Sequence, residues 1–239
     1  MNVPLNTEKL KPCCNQCQTG FTLLEILVAL VIFAIITTTV FGSFNGVFSR
    51  AKELDSDLAH HEMGVLCLNQ MQRELKEIFI QRPPAFKPPT QEKSADPFRI
   101  VGDLSEWGGD SFGRLRFTSL ARLPIDSQTI RPPQAVTYYT DETDGDRFVL
   151  KRAVRANDDS DEFEPRSDDI ILCEDVLEFE LIYLDAEGES SEKWDSGSDD
   201  QDYTTPRAIQ IKLLLGSQSP TARFETTVAL PVWRDPVES

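Results

Sequence analysis

The chain has 239 residues, 40% hydrophobic and 27% charged, a balance that excludes wholesale disorder and allows one sizeable core. Its formal net charge of −16 excludes a nucleic-acid binder driven by phosphate neutralisation, because no basic stripe exists to release counterions. Residues 157–202 hold 19 acids against only Arg166 and Lys193, so the acidity is local and the rest of the chain is close to neutral.

In chain order, residues 1–20 are polar, with Lys9 and Lys11 against Glu8. Residues 21–41 then read FTLLEILVALVIFAIITTTVF, with Glu25 as the single charge. At about 1.5 Å per residue this run spans roughly 30 Å, the thickness of bilayer hydrocarbon, and it predicts a transmembrane helix. It is longer than the apolar region of a cleavable secretory signal and ends at Thr37-Thr38-Thr39 without a small-residue cleavage site. The weak basic bias puts residues 1–20 in the cytoplasm and the chain beyond the helix across the membrane. Glu25 is the anomaly. A carboxylate in a lipid-facing helix costs on the order of 2.5–3.5 kcal/mol at the centre and less near an end, so it calls for a partner.

Beyond the membrane the helix is expected to continue to about Ile80, as an amphipathic segment over residues 44–80. Phe44, Val47, Phe48, Ala51, Leu54, Leu58, Val65, Leu68, Met71, Leu75 and Ile78 recur at spacings of mostly three, four or seven. Glu53, Asp55, Arg73, Glu74 and Lys76 fall mostly on the opposite face. Gly42, Gly46 and Gly64 weaken the helix locally, each by about 1 kcal/mol relative to alanine. Gly42-x-x-x-Gly46 reads either as a small-residue packing motif or as a joint at the membrane exit. His60 and His61 are adjacent, face different sides and read as solvated, which is a poor arrangement for sharing a metal.

Pro83-Pro84 stops the helix, and residues 81–97 form a proline-rich connector. Residues 98–235 read as a β-rich domain, with alternation over 114–120, 135–139, 147–154, 176–184, 207–215 and 223–232. In the fourth run Leu177, Phe179, Leu181 and Tyr183 share a face. In the fifth, Ile209, Ile211, Leu213 and Leu215 do. Strands with one apolar face need a cover, and the helix from about residue 50 to 80 supplies it through Leu54, Leu58, Val65, Leu68, Met71 and Leu75. The expected class is therefore α+β: a long N-terminal helix packed on antiparallel sheet.

Cys13, Cys14 and Cys17 form a C-x-x-C near the N-terminus with no second ligand pair at zinc spacing. Cys67 and Cys173 are expected to be separate, partly buried thiols, although an oxidising compartment would permit a pair. No GxSxG, HExxH, P-loop or Rossmann glycine pattern is present, and the two histidines sit on the helix, so no enzyme is expected. No metal or cofactor is expected either. Asp158, Asp159, Asp161, Glu162 and Glu164 offer hard oxygen ligands but lack the spacing and turn glycine of an EF-hand. They read as a solvated loop, with a calcium-binding, membrane-anchored module as an alternative.

The run Gly20-Phe21-Thr22-Leu23-Leu24-Glu25 at the head of the apolar segment resembles the prepilin peptidase site of type IV pilins and type II secretion pseudopilins. The resemblance implies a leader of residues 1–20, cleavage between Gly20 and Phe21, N-methylation of Phe21, and Glu25 as the carboxylate that neutralises a neighbouring subunit's amine during assembly. Further along, Val136-Thr137-Tyr138-Tyr139, Phe148-Val149-Leu150-Lys151-Arg152 and Val176-Leu177-Glu178-Phe179 resemble the J-type minor pseudopilin. So do Tyr183-Leu184-Asp185 with Gly188 and Trp194, and Thr205-Pro206-Arg207-Ala208-Ile209. The 20-residue leader and the acidic stretch 157–169 depart from that pattern. The implied function is a non-catalytic subunit near the tip of a type II secretion pseudopilus. It would be anchored in the inner membrane by one span, with its C-terminal domain periplasmic. The implied partners are the I- and K-type minor pseudopilins, the major pseudopilin and the prepilin peptidase, and no nucleic acid. A minor pilin of a type IV pilus or competence system is the alternative within the same class.

Overall fold

The apolar run and the amphipathic run fall in one helix, α1, spanning Leu23–Lys76. The computed structural model describes residues 21–89, 96–107, 110–121, 133–143, 147–156, 163–216 and 221–237. Residues 1–52 and 53–239 form two units. In the first, α1 carries a stretch long and apolar enough to cross a membrane, Leu23–Phe44, with a mean hydropathy of 2.6. Its hydroxyls are satisfied within the helix. Thr37, Thr38, Thr39 and Ser43 donate to carbonyls four residues back at 2.7, 2.8, 3.0 and 2.9 Å. None of these hydroxyls therefore enters lipid as an unpaired donor.

The second unit holds the strands. They are β1 Val101–Trp107, β2 Asp110–Ser119, β3 Gln134–Thr143, β4 Arg147–Ala156, β5 Ile170–Cys173, β6 Val176–Leu184, β7 Ser190–Ser191, β8 Trp194–Asp195, β9 Ala208–Leu215 and β10 Ala222–Ala229. A six-stranded sheet has the order β5-β4-β3-β2-β1-β8, and a four-stranded sheet has β10-β9-β6-β7. Every pairing is antiparallel. The fold is α+β, with an N-terminal helix followed by antiparallel sheet.

Each expected run contains a strand, but β1, β5 and the two-residue β7 and β8 lie outside the expected runs, and the strands divide between two sheets. Alternation holds best in β9, where Ile209, Ile211, Leu213 and Leu215 are all buried. It breaks in β6. The register shifts between Val176 and Glu178, so Val176 turns inward with Phe179, Leu181 and Tyr183 while Leu177 is half-exposed. Asp175 enters that bulge at a φ of 52°, in the left-handed region.

The sheet-facing stripe of α1 also differs from expectation. Leu68, Met71, Leu75 and Ile78 are buried as expected, joined by His60, Gly64, Cys67 and Glu74. Leu58 and Val65, expected to cover the sheet, are exposed, and the side chain of Leu54 lies outside the described residues. On α1 the buried set recurs as 60, 64, 67, 71 and 74, one face of a helix, displaced from the face that hydrophobicity alone selects, and Ile78 is buried just past the helix end. Gly64 is a site of close approach: a β-carbon there would overlap the Phe224 ring of β10. The helix ends at Lys76, short of Ile80, because the chain turns to pair with β2. Ile78 bridges Ser119, and Phe79 N–H donates to the Thr118 carbonyl at 2.8 Å.

Candidate functional site

The N-terminus of α1 is built by a four-residue device. The Glu25 N–H donates to the Thr22 hydroxyl at 3.3 Å and to the Thr22 carbonyl at 3.1 Å, and the Ile26 N–H donates to the same carbonyl at 3.3 Å. Thr22 thus caps the helix and Glu25 stands in its first turn, the T-x-x-E spacing of a capping box. The carboxylate also sits where the aligned peptide dipoles make the helix end positive. This gives Glu25 a local reason to be at that position, and its trace in the sequence is no more than a hydroxyl residue three positions before an acid. Phe21 and Glu25 are one turn apart and both exposed. Gly20 and the cysteines at 13, 14 and 17 lie outside the described residues.

In the second unit the polar groups that reach the interior are structural. Glu74, expected on the solvent face, is buried against the six-stranded sheet. Arg152 of β4 donates to both of its oxygens through Nε, at 3.0 and 3.1 Å, and again through Nη2. The Tyr138 hydroxyl of β3 and Gln70 Nε2, at 2.6 Å, complete the shell. Burial, and then the nearby Glu74 charge, push the Tyr138 hydroxyl well above the usual phenol range. Burial pulls Arg152 down, but the Glu74 carboxylate outweighs it and holds the guanidinium above its ordinary value. Neither group is poised for proton transfer near neutral pH.

His60 is not solvated. Its ring is buried, with Nε2 3.3 Å from Asp175 Oδ2, while His61 is exposed and lies 5.3 Å from the Phe224 ring. Among the described residues no group of His, Cys, Asp or Glu could hold a metal. Of the acidic stretch, 157–162 lie outside the described residues and Glu164 is exposed. Asp169 is committed elsewhere: it accepts from Arg155 at 2.6 and 2.9 Å, from the Tyr139 hydroxyl at 2.8 Å and from the Arg166 N–H at 3.0 Å.

Two family models match the chain, and together they run from the capped helix start through most of the sheets. The prokaryotic N-terminal methylation motif matches residues 15–41, and type II secretion system protein J matches residues 42–226. The chain belongs to the type II secretion protein J family. It is a minor pseudopilin, a structural subunit that associates with the other pseudopilins of its secretion system and is anchored by a single N-terminal span. No curated protein matches the chain.

Proposed function

We propose that this pseudopilin is made with a leader of residues 1–20, cut between Gly20 and Phe21 by the prepilin peptidase on the cytoplasmic face and methylated at Phe21. The unit from residue 53 to 239 then stands in the periplasm, and the subunit joins the pseudopilus near its tip with the I- and K-type partners above the major pseudopilin. Glu25 pairs with the amine of an adjacent subunit as assembly proceeds. In a medium of low dielectric neither a lone carboxylate nor a lone ammonium is tolerated, so the pair selects the register in which the two meet.

The observation that carries this reading is the head of α1. The helix begins at Leu23, immediately past the Gly20–Phe21 bond, with Thr22 and Glu25 forming its cap and the bilayer-length stretch following at once. The match to the methylation motif over residues 15–41 supports the same boundary. Intact mass spectrometry of protein extracted from membranes tests it. The expected mass is that of a chain beginning at Phe21 plus one methyl group. A mature chain that retains Cys13, Cys14 and Cys17 refutes it.

A further inference from the structure

Cys67 and Cys173 are 106 positions apart in sequence, yet they meet inside one buried cluster, each with no more than 2% of its surface exposed. Cys67 is on the sheet-facing stripe of α1, and Cys173 ends β5, the outer strand of the six-stranded sheet. A helical side chain lies over the turn that precedes it, so the Cys67 thiol covers the turn that contains Met63. The Cys173 thiol donates to the Met63 carbonyl at 3.7 Å, which brings it to the same place. The neighbouring Cys173 thiol, and then burial, push the Cys67 thiol far above the ordinary thiol range. The surrounding side chains supply no further ligand for a metal among the described residues.

We propose that Cys67 and Cys173 close to a disulfide that fastens α1 to the outer strand of the larger sheet. For its oxidant in the cell this rests on the periplasmic placement given above. While the core is still open, one cysteine, as thiolate, attacks an exchangeable disulfide of a small molecule or of a thiol–disulfide oxidoreductase. The second thiolate then attacks the mixed disulfide and releases the remaining thiol. Two S–H bonds become one S–S bond, and the two electrons and two protons that the cysteines lose convert the oxidant's disulfide to a pair of thiols. The folded core suppresses the thiolate at Cys67, so the reaction belongs to folding. Afterwards the same burial shields the bond from reductants. The loop it closes is long, which is where a cross-link restricts the unfolded chain most.

The test uses the full chain in detergent, with Cys13, Cys14 and Cys17 replaced by serine so that they cannot compete. The protein is reduced and unfolded, then refolded with a mixture of oxidised and reduced glutathione or with reductant alone. Free thiols are alkylated under denaturing conditions and the peptides are analysed by mass. In the oxidised sample we expect a linked Cys67–Cys173 peptide, lighter by two hydrogens, and a melting temperature roughly 5–15 °C above the reduced sample. Both cysteines alkylated, both carrying glutathione, or a link without any rise in melting temperature would each overturn the proposal. Protease treatment of spheroplasts separates it from the placement. A protected sheet domain alongside pairing in vitro refutes the placement alone, whereas an accessible domain with both thiols free in cells refutes the pairing.

Discussion

Glu74→Gln probes the point at which α1 and the six-stranded sheet are joined by charge. Glutamine keeps the volume and part of the hydrogen bonding but removes the negative charge, leaving the Arg152 guanidinium, whose side chain is 6% exposed, with no counter-charge. Breaking a buried ion pair from one side costs about 3–5 kcal/mol. For a unit of this size each kcal/mol is worth about 2–4 °C, so the melting temperature should fall by roughly 6–20 °C. Near-ultraviolet circular dichroism of the full chain in detergent follows the transition, because Trp107, Trp194 and Trp233 all lie in the strand-bearing unit. Replacing Glu74 with Leu, Arg152 with Met and Tyr138 with Phe together removes every charged or hydroxyl partner at once, and most of the lost stability should return. A fall of under about 1 kcal/mol for Glu74→Gln, or a triple variant less stable than the single one, refutes the view that this buried network holds the helix to the sheet.

A β-carbon on Gly102 of β1 would overlap the hydroxyl of Tyr183, a side chain with no exposed surface, so Gly102→Ala should cost about 1–3 kcal/mol in the same melt although alanine suits a strand better than glycine. Asp169 is opposed by its own burial, but its bonds from Arg155, Tyr139 and the Arg166 N–H hold its carboxyl below its ordinary value of 3.8. A depressed carboxyl stabilises the fold above its unfolded value and loses that contribution as pH falls through the folded one. Thermal melts from neutral to about pH 3 should therefore show the parent chain losing stability as the pH drops below 3.8. Asp169→Asn should be less stable at neutral pH and show a flatter acid limb.

The helix and the strands of strongest alternation were legible because their signal is local. The apolar run of α1 and the period of β9 need no knowledge of the rest of the chain. The polarity of Glu74 argues for solvent, and only the fold brings Arg152, 78 positions later, to neutralise it. The burial of His60 is hidden from the sequence in the same way, since Asp175 arrives from 115 positions away. Val65 satisfies the helical period yet is exposed, because the polar pairs Glu74–Arg152 and His60–Asp175 help to fix which face of α1 turns inward. Leu177 fits the alternation of β6 but lies at a bulge, where the one-residue shift puts Val176 in its place on the face of Phe179, Leu181 and Tyr183. β1, VGDLSEW, carries too few apolar residues to announce a strand, and β5, IILC, is only four residues long. At the head of α1 the glycine and the acid stand out by composition, whereas the cap at Thr22 is a matter of backbone geometry that a single hydroxyl residue beside a long apolar run does not announce.

In the proposed assembly Glu25 serves the contact between subunits as well as the helix start. Recovery of other pseudopilins with this subunit, compared between the parent chain and Glu25→Gln in cells that carry the whole secretion system, tests it most directly. Glutamine makes insertion easier by up to about 2.5–3.5 kcal/mol while leaving a partner's ammonium unpaired. Glu25→Gln should reach the membrane and mature in normal amount, while recovery of its partners falls by roughly tenfold or more, equivalent to about 1.4 kcal/mol of lost pairing. Equal recovery from the two proteins, with equal maturation, would contradict it.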